Sequence, residues 1–64
     1  MLLKDLRDID FTNLKVIVSW TFDKGYEWED LLKAPSYESD WVWDCKVMYF
    51  TKTDLYDLVI KIGQ

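Results

Sequence analysis

Leu14-Lys15-Val16-Ile17-Val18-Ser19-Trp20-Thr21-Phe22, followed by Asp23-Lys24-Gly25 and Tyr26-Glu27-Trp28-Glu29, is the stretch that decides the fold. Leu14, Val16, Val18 and Trp20 alternate with Lys15, Ile17, Ser19 and Thr21. That period of two sends successive side chains to opposite faces of a strand. The first four residues should therefore face a core together. A glycine at the third position of a three-residue loop suits a type I turn with a bulge, where φ is positive. Tyr26–Glu29 then returns as a second strand, with Tyr26 and Trp28 on one face and Glu27 and Glu29 on the other.

Upstream, Leu2, Leu3, Leu6 and Ile9 recur at helical spacing, with Lys4, Asp5, Arg7 and Asp8 opposite them. An N-terminal helix is expected there, ended by the polar break Asp10–Asn13. Downstream, Asp30-Leu31-Leu32-Lys33-Ala34-Pro35 reads as one helical turn, capped by Asp30 and stopped by Pro35. Ser36–Asp40 reads as a polar loop. Trp41–Phe50 alternates again, with Trp41, Trp43, Cys45, Val47 and Tyr49 on one face and Val42, Asp44, Lys46, Met48 and Phe50 on the other. After a turn at Thr51–Asp54, Leu55–Ile62 fits two patterns. Leu58, Ile60 and Ile62 alternate as in a strand, while Leu55, Leu58, Val59 and Ile62 have helical spacing with Thr53 as a cap. The Val59-Ile60 pair and the short turn favour a strand. The expected architecture is a single α+β domain over residues 1–64, with the N-terminal helix packed on a roughly four-stranded antiparallel sheet of two hairpins.

Half of the 64 residues are hydrophobic, a globular rather than a disordered composition. Four Trp, four Tyr and three Phe supply large buried areas. A chain this short needs them, because it buries only about 60% of its unfolded surface. Cys45 is the only cysteine, so no internal disulfide can form. With no histidine either, neither a metal site nor a cofactor is expected. The lone thiol fits a reducing compartment. No apolar run after Met1 resembles a signal peptide, and no stretch approaches the roughly 18 apolar residues of a membrane span. These features lead us to expect a complete, cytoplasmic chain.

Catalysis is not expected. Histidine, the usual acid–base group near neutral pH, is missing. Cys45, between Trp43 and Val47, reads as a small buried residue rather than a nucleophile. Glu27 and Glu29 read as a solvated strand face rather than a catalytic carboxylate pair. Two glycines, Gly25 and Gly63, cannot make a phosphate-cradling loop, and no calcium-loop spacing occurs. Direct nucleic-acid binding is disfavoured by the net charge of −4 and by singly scattered bases.

The charge is unevenly placed. Residues 23–44 hold seven acids (Asp23, Glu27, Glu29, Asp30, Glu38, Asp40 and Asp44) against Lys24 and Lys33, a net of −5. The remainder holds five acids and six bases, a net of +1. Tyr26, Trp28, Tyr37, Trp41 and Trp43 lie in the same acidic third. Rings can supply contact area and stack on arginine, while carboxylates steer a basic partner. The plainer reading is that the rings are core and the acids keep the domain dispersed. The expected partner-binding residues are Glu27, Glu29, Asp30, Glu38, Asp40, Trp41 and Asp44.

Four segments, Leu2-Leu3-Lys4-Asp5-Leu6, Val16-Ile17-Val18, Asp30-Leu31-Leu32-Lys33-Ala34-Pro35 and Asp57-Leu58-Val59-Ile60-Lys61-Ile62, give the chain a look that resembles short uncharacterised acidic proteins of phage and prophage genomes. Small acidic proteins of that origin include anti-CRISPR and other anti-defence inhibitors. The resemblance implies an inhibitor, acting in a host cytoplasm, that covers a basic or nucleic-acid-binding surface of a host protein. Two other functions fit the composition. Exposed rings could form the interface of a homodimer or larger homo-oligomer, giving a structural or accessory protein. Trp41 and Trp43, on one strand face, could form a stacking platform for a carbohydrate or other small ligand.

Overall fold

The strand expected at Leu14–Phe22 is β1, Val16–Thr21, in a computed structural model that describes residues 1–21 and 23–63. Phe22, assigned to that strand by its sequence, lies outside the described residues. The β-branched run Val16-Ile17-Val18 suits a pleated backbone. Val16 and Val18 are buried and Trp20 is half-buried, as the alternation requires. Leu14 is not inward: it precedes the strand and is 50% exposed.

β2, Lys24–Glu27, pairs antiparallel with β1 in the register Ile17↔Glu27, Val18↔Tyr26, Ser19↔Gly25 and Thr21↔Lys24. The shift between Ser19 and Thr21 makes Trp20 the extra residue of a bulge. Gly25 lies inside β2 and its φ is not positive. Glycine is required there for a different reason: a Cβ would sit 2.5 Å from the carbonyl oxygen of Val18. The hairpin needs close backbone approach, not a left-handed residue.

β2 ends at Glu27, two residues earlier than its alternation suggests, because Trp28–Lys33 forms helix α1. Glu29 and Asp30 lie in its first turn and Lys33 in its last, the arrangement that complements a helix dipole. Trp28 and Leu31, three apart, are its buried residues. Ala34 is extended, as a residue before proline tends to be. Pro35 then leads into α2, Ser36–Trp43. This replaces the expected loop at 36–40 and the first half of the expected strand at 41–50. Ser39, Val42 and Trp43 are buried at i, i+3 and i+4, a spacing that only a helix can place on one side. The Ser39 hydroxyl donates to the Pro35 carbonyl at 3.1 Å, tying the first turn together.

The second strand pair is β3, Lys46–Thr51, and β4, Leu58–Gly63, joined antiparallel. The strand pattern at Leu58–Ile62 therefore prevails over the helical one. The sheet order is β2-β1-β4-β3, and the central pair β1–β4 is parallel, with Val16↔Leu58 and Val18↔Ile60 in register. The sheet is mixed, not antiparallel. α1 and α2 carry the chain from one edge strand to the opposite edge, so the second hairpin arrives in the same sense as the first.

The N-terminal helix is also corrected. Leu3–Leu6 is a single 3₁₀ turn. The N–H groups of Asp5 in the turn, and of Arg7 and Ile9 just after it, reach carbonyls three residues back, at Leu2, Lys4 and Leu6. Residues 1–3 are held elsewhere. The Leu3 N–H donates to the Cys45 carbonyl and the Val47 N–H to the Met1 carbonyl, each at 2.9 Å, and Leu2 bridges Lys46. Extending a helix through Leu2 and Leu3 would forfeit that pairing.

Leu3 and Leu6, Trp28 and Leu31, and Val42 and Trp43 join Val16, Val18, Ile60 and Ile62 in one buried cluster. The 3₁₀ turn and both helices therefore lie on the same face of the sheet. Alternation sends Ile17, Ser19, Val59 and Lys61 to the other face, which no helix covers among the described residues.

Candidate functional site

The buried stripe of α2 determines what the helix shows to solvent. With Ser39, Val42 and Trp43 inward, Tyr37, Asp40 and Trp41 point out, and Asp44 follows at the C-cap. These four stand at i, i+3, i+4 and i+7, which places two rings and two carboxylates along one ridge. Glu38 lies beside them. Tyr37 is 85% exposed and Trp41 45%. The buried side of Trp41 meets Trp20 edge-on, with ring centroids 4.9 Å apart. The Trp20 bulge in β1 thus holds one edge of the exposed indole.

The carboxylates of this ridge are nearly free of internal partners. Asp44 Oδ1 lies 3.9 Å from Lys4 Nζ, the one ion pair among the described residues, and both side chains are well exposed. A pair so open to water contributes at most about 1 kcal/mol. Glu38 and Asp40 are exposed with no cation against them among the described residues. Glu29 and Asp30 are exposed in the first turn of α1, so they extend the same acidic helix layer.

Of the seven expected partner-binding residues, Glu38, Asp40, Trp41 and Asp44 come together on or at the end of α2. Glu29 and Asp30 lie on the preceding helix, α1. Glu27 departs from the group. It closes β2 opposite Ile17, on the open side of the sheet, and its Oε1 accepts a hydrogen bond from the Tyr56 hydroxyl at 3.4 Å. Tyr37, the most exposed large side chain of the ridge, is absent from the expected set. Reading 36–43 as a helix would have found it, because it stands one turn before Trp41.

Trp41 and Trp43 do not share a face. Two residues apart on a helix they diverge by about 200°. Trp43 is 4% exposed, packed edge-on to Trp28 at 5.5 Å, with the Arg7 guanidinium 4.8 Å over its ring. Cys45 is buried in the turn between α2 and β3, and its Sγ–H donates to the Trp41 carbonyl at 3.2 Å. Burial pushes its thiol pKa up, and the Asp44 carboxylate beside it adds to the shift. The thiol is therefore kept protonated, the opposite of what a nucleophile needs.

No group of three or more carboxylates or thiols is placed to hold a metal ion among the described residues. No helix among them is long and apolar enough to cross a membrane. What the ridge offers chemically is negative charge around partly anchored aromatic surface. No family model, curated protein or solved structure matches this chain.

Proposed function

We propose that the chain is a non-enzymatic protein-binding module whose acidic helix layer covers a lysine- and arginine-rich surface of another protein. The observation that carries this reading is the α2 ridge, where Tyr37 and Trp41 stand exposed between Glu38, Asp40 and Asp44. Exposed rings provide the apolar area and stack on guanidinium groups, and the surrounding carboxylates steer approach and set orientation. A nucleic-acid-binding face is the most natural basic target, because its charge pattern already matches an array of phosphates. The inhibitor role implied by the resemblance to phage proteins follows from occupying such a face.

The test is capture of basic proteins from a bacterial lysate at low and high salt, with wild type beside a Tyr37→Ser, Trp41→Ser double variant and an Asp40→Lys, Asp44→Lys double variant. Wild type should retain a basic protein at low salt and release it as salt rises. Both double variants, folded by circular dichroism, should fail to retain it. Equal retention by either one removes the ridge as the binding surface.

A second reading, self-association, has its own observation. On the open face of the sheet Met48 is 61% exposed and Tyr49 55%. Sedimentation showing a dimer that Tyr49→Lys dissociates would favour it.

A further inference from the structure

A cleft of about 540 Å³ lies between the 9–16 segment and α1, away from the α2 ridge. Ligand-binding clefts span roughly 300–1,000 Å³, so it can take one or two side chains. Part of its lining is aliphatic and open to solvent. Ile9 is 46% exposed, Leu14 50% and Leu32 40%. Behind them the rings of Phe11 and Trp28 meet edge-on at 5.0 Å and form a rigid floor. By its alternation with Lys15, Leu14 is expected to face the core. Here Leu14 and Leu32 are both exposed, and both line the same hollow.

The rim is acidic. Asp10, Glu27, Glu29 and Asp57 line the cleft against a single base, Lys15. Three of the four carboxylates have work within the fold. Asp57 Oδ2 accepts the Lys15 N–H at 2.9 Å, and Glu27 accepts the Tyr56 hydroxyl. The Lys15 ammonium lies 5.2 Å over the Tyr56 ring. Asp10 accepts the N–H and hydroxyl of Thr12, which hold its carboxyl below the usual carboxylate range and so keep it charged. Glu29 is exposed in the first turn of α1, with no hydrogen-bond or ion-pair partner among the described residues. An apolar hollow with a negative rim complements a segment that is apolar in its middle and positive at its flanks.

We infer that this cleft binds a short peptide segment of a partner protein in which a leucine-sized aliphatic side chain is flanked by lysine or arginine. The aliphatic side chain enters between Leu14 and Leu32, and the flanking cations meet Glu29 on one side and Asp10 on the other. The site does not depend on the α2 ridge. Loss of binding by the ridge variants leaves it unaffected, and its own failure leaves the ridge proposal standing.

The experiment is a heteronuclear NMR titration of the intact chain with three synthetic hexapeptides: Lys-Leu repeats, Glu-Leu repeats, and Lys-Ser repeats. The Lys-Leu peptide should shift the methyl signals of Leu14 and Leu32 and the indole signal of Trp28. The other two should leave them in place at the same concentration. Glu29→Lys should weaken the Lys-Leu peptide by about tenfold, as placing like charges together does. Leu32→Asn, an exposed helix position, should abolish the shifts at Leu14 while the remaining spectrum stays native. Three results would overturn the inference: equal binding of the Glu-Leu peptide, equal binding of the Lys-Ser peptide, or shifts confined to Tyr37 and Trp41. The last would assign the peptide to the ridge instead.

Discussion

The two faces of this sheet are built from the same four strands, yet they differ in cover and in charge. The covered face presents Val16, Val18, Ile60 and Ile62 to a layer of helices, and the outside of that layer is acidic. Over residues 28–44 it carries Glu29, Asp30, Glu38, Asp40 and Asp44 against Lys33, five acids and one base, a net of −4. The open face of the strands carries Lys46 and Lys61 against Glu27, a net of +1, between Ile17, Val59, Met48 and Tyr49. The overall charge of −4 is therefore unevenly divided between two unlike sides. A partner meets either an acidic, ring-bearing layer or a lysine-bearing sheet, and orientation decides which.

The comparison breaks most sharply at neighbouring strand positions. Val16→Asp should unfold the domain. It would bury an unpaired charge where 4% of the residue is exposed, in a chain whose total stability is only roughly 3–10 kcal/mol. Ile17→Lys, one residue on and opposite Glu27, should melt within a few degrees of wild type by circular dichroism. Equal unfolding by both would mean the open face is covered after all.

The same contrast holds within α2. Trp43→Ala should cost about 3–5 kcal/mol in urea denaturation, because it empties a buried site beside Trp28 and Val42. Trp41→Ala should cost about 1 kcal/mol, the loss of its edge contact with Trp20. Reversed magnitudes would turn the helix inside out.

The two glycines make a smaller contrast. Gly25→Ala drives a Cβ into the Val18 carbonyl and should cost about 1–3 kcal/mol. Gly63→Ala meets only the Met48 side chain, 3.2 Å away at its flexible Cγ, and should change the melting point little.

The last two predictions concern titration and charge. Cys45 should react with a thiol reagent far more slowly in the folded than in the unfolded protein. Its folded pKa lies above the ordinary 9.0, so the unfolded state loses its proton first as pH rises. Stability should therefore be intact below pH 9 on this account and fall above it, and Cys45→Ala should flatten that fall. Reversing Glu38 and Asp40 to Lys should move stability by no more than about 0.5 kcal/mol, since exposed charges are well screened.

β1 and β4 were legible because their alternation is reinforced by β-branched residues: Val16-Ile17-Val18 in one and Val59-Ile60 in the other. α2 was not, because Trp41, Trp43 and Cys45 imitate a period of two. The adjacent pair Val42-Trp43, both buried, carries the true signal, but it is visible only when Ser39 is counted with it. The parallel pairing of β1 with β4 has no local signature. It depends on how far a crossover travels, and that distance depended on the misread helix. The acidic part of the candidate site was legible from charge alone, since charged side chains seek water in any fold. The cleft was not, because Leu14 reads as a core residue by its alternation until its neighbours in space are known.

The parallel seam also sets the timing of folding. Lys15 and Asp57, which open the seam, are 42 residues apart, and β4 is made after every other described element. The β1–β2 hairpin can form early from local contacts, but the inner edge of β1 then has no neighbour. A nascent chain that has not yet released residues 58–63 presents Val16-Ile17-Val18 as an unpaired, apolar edge, the kind of edge that recruits strands from other molecules. Closing the loop costs entropy that only the completed seam offsets. A fragment ending before Leu58 should therefore expose this edge and associate rather than fold as a smaller version of the protein.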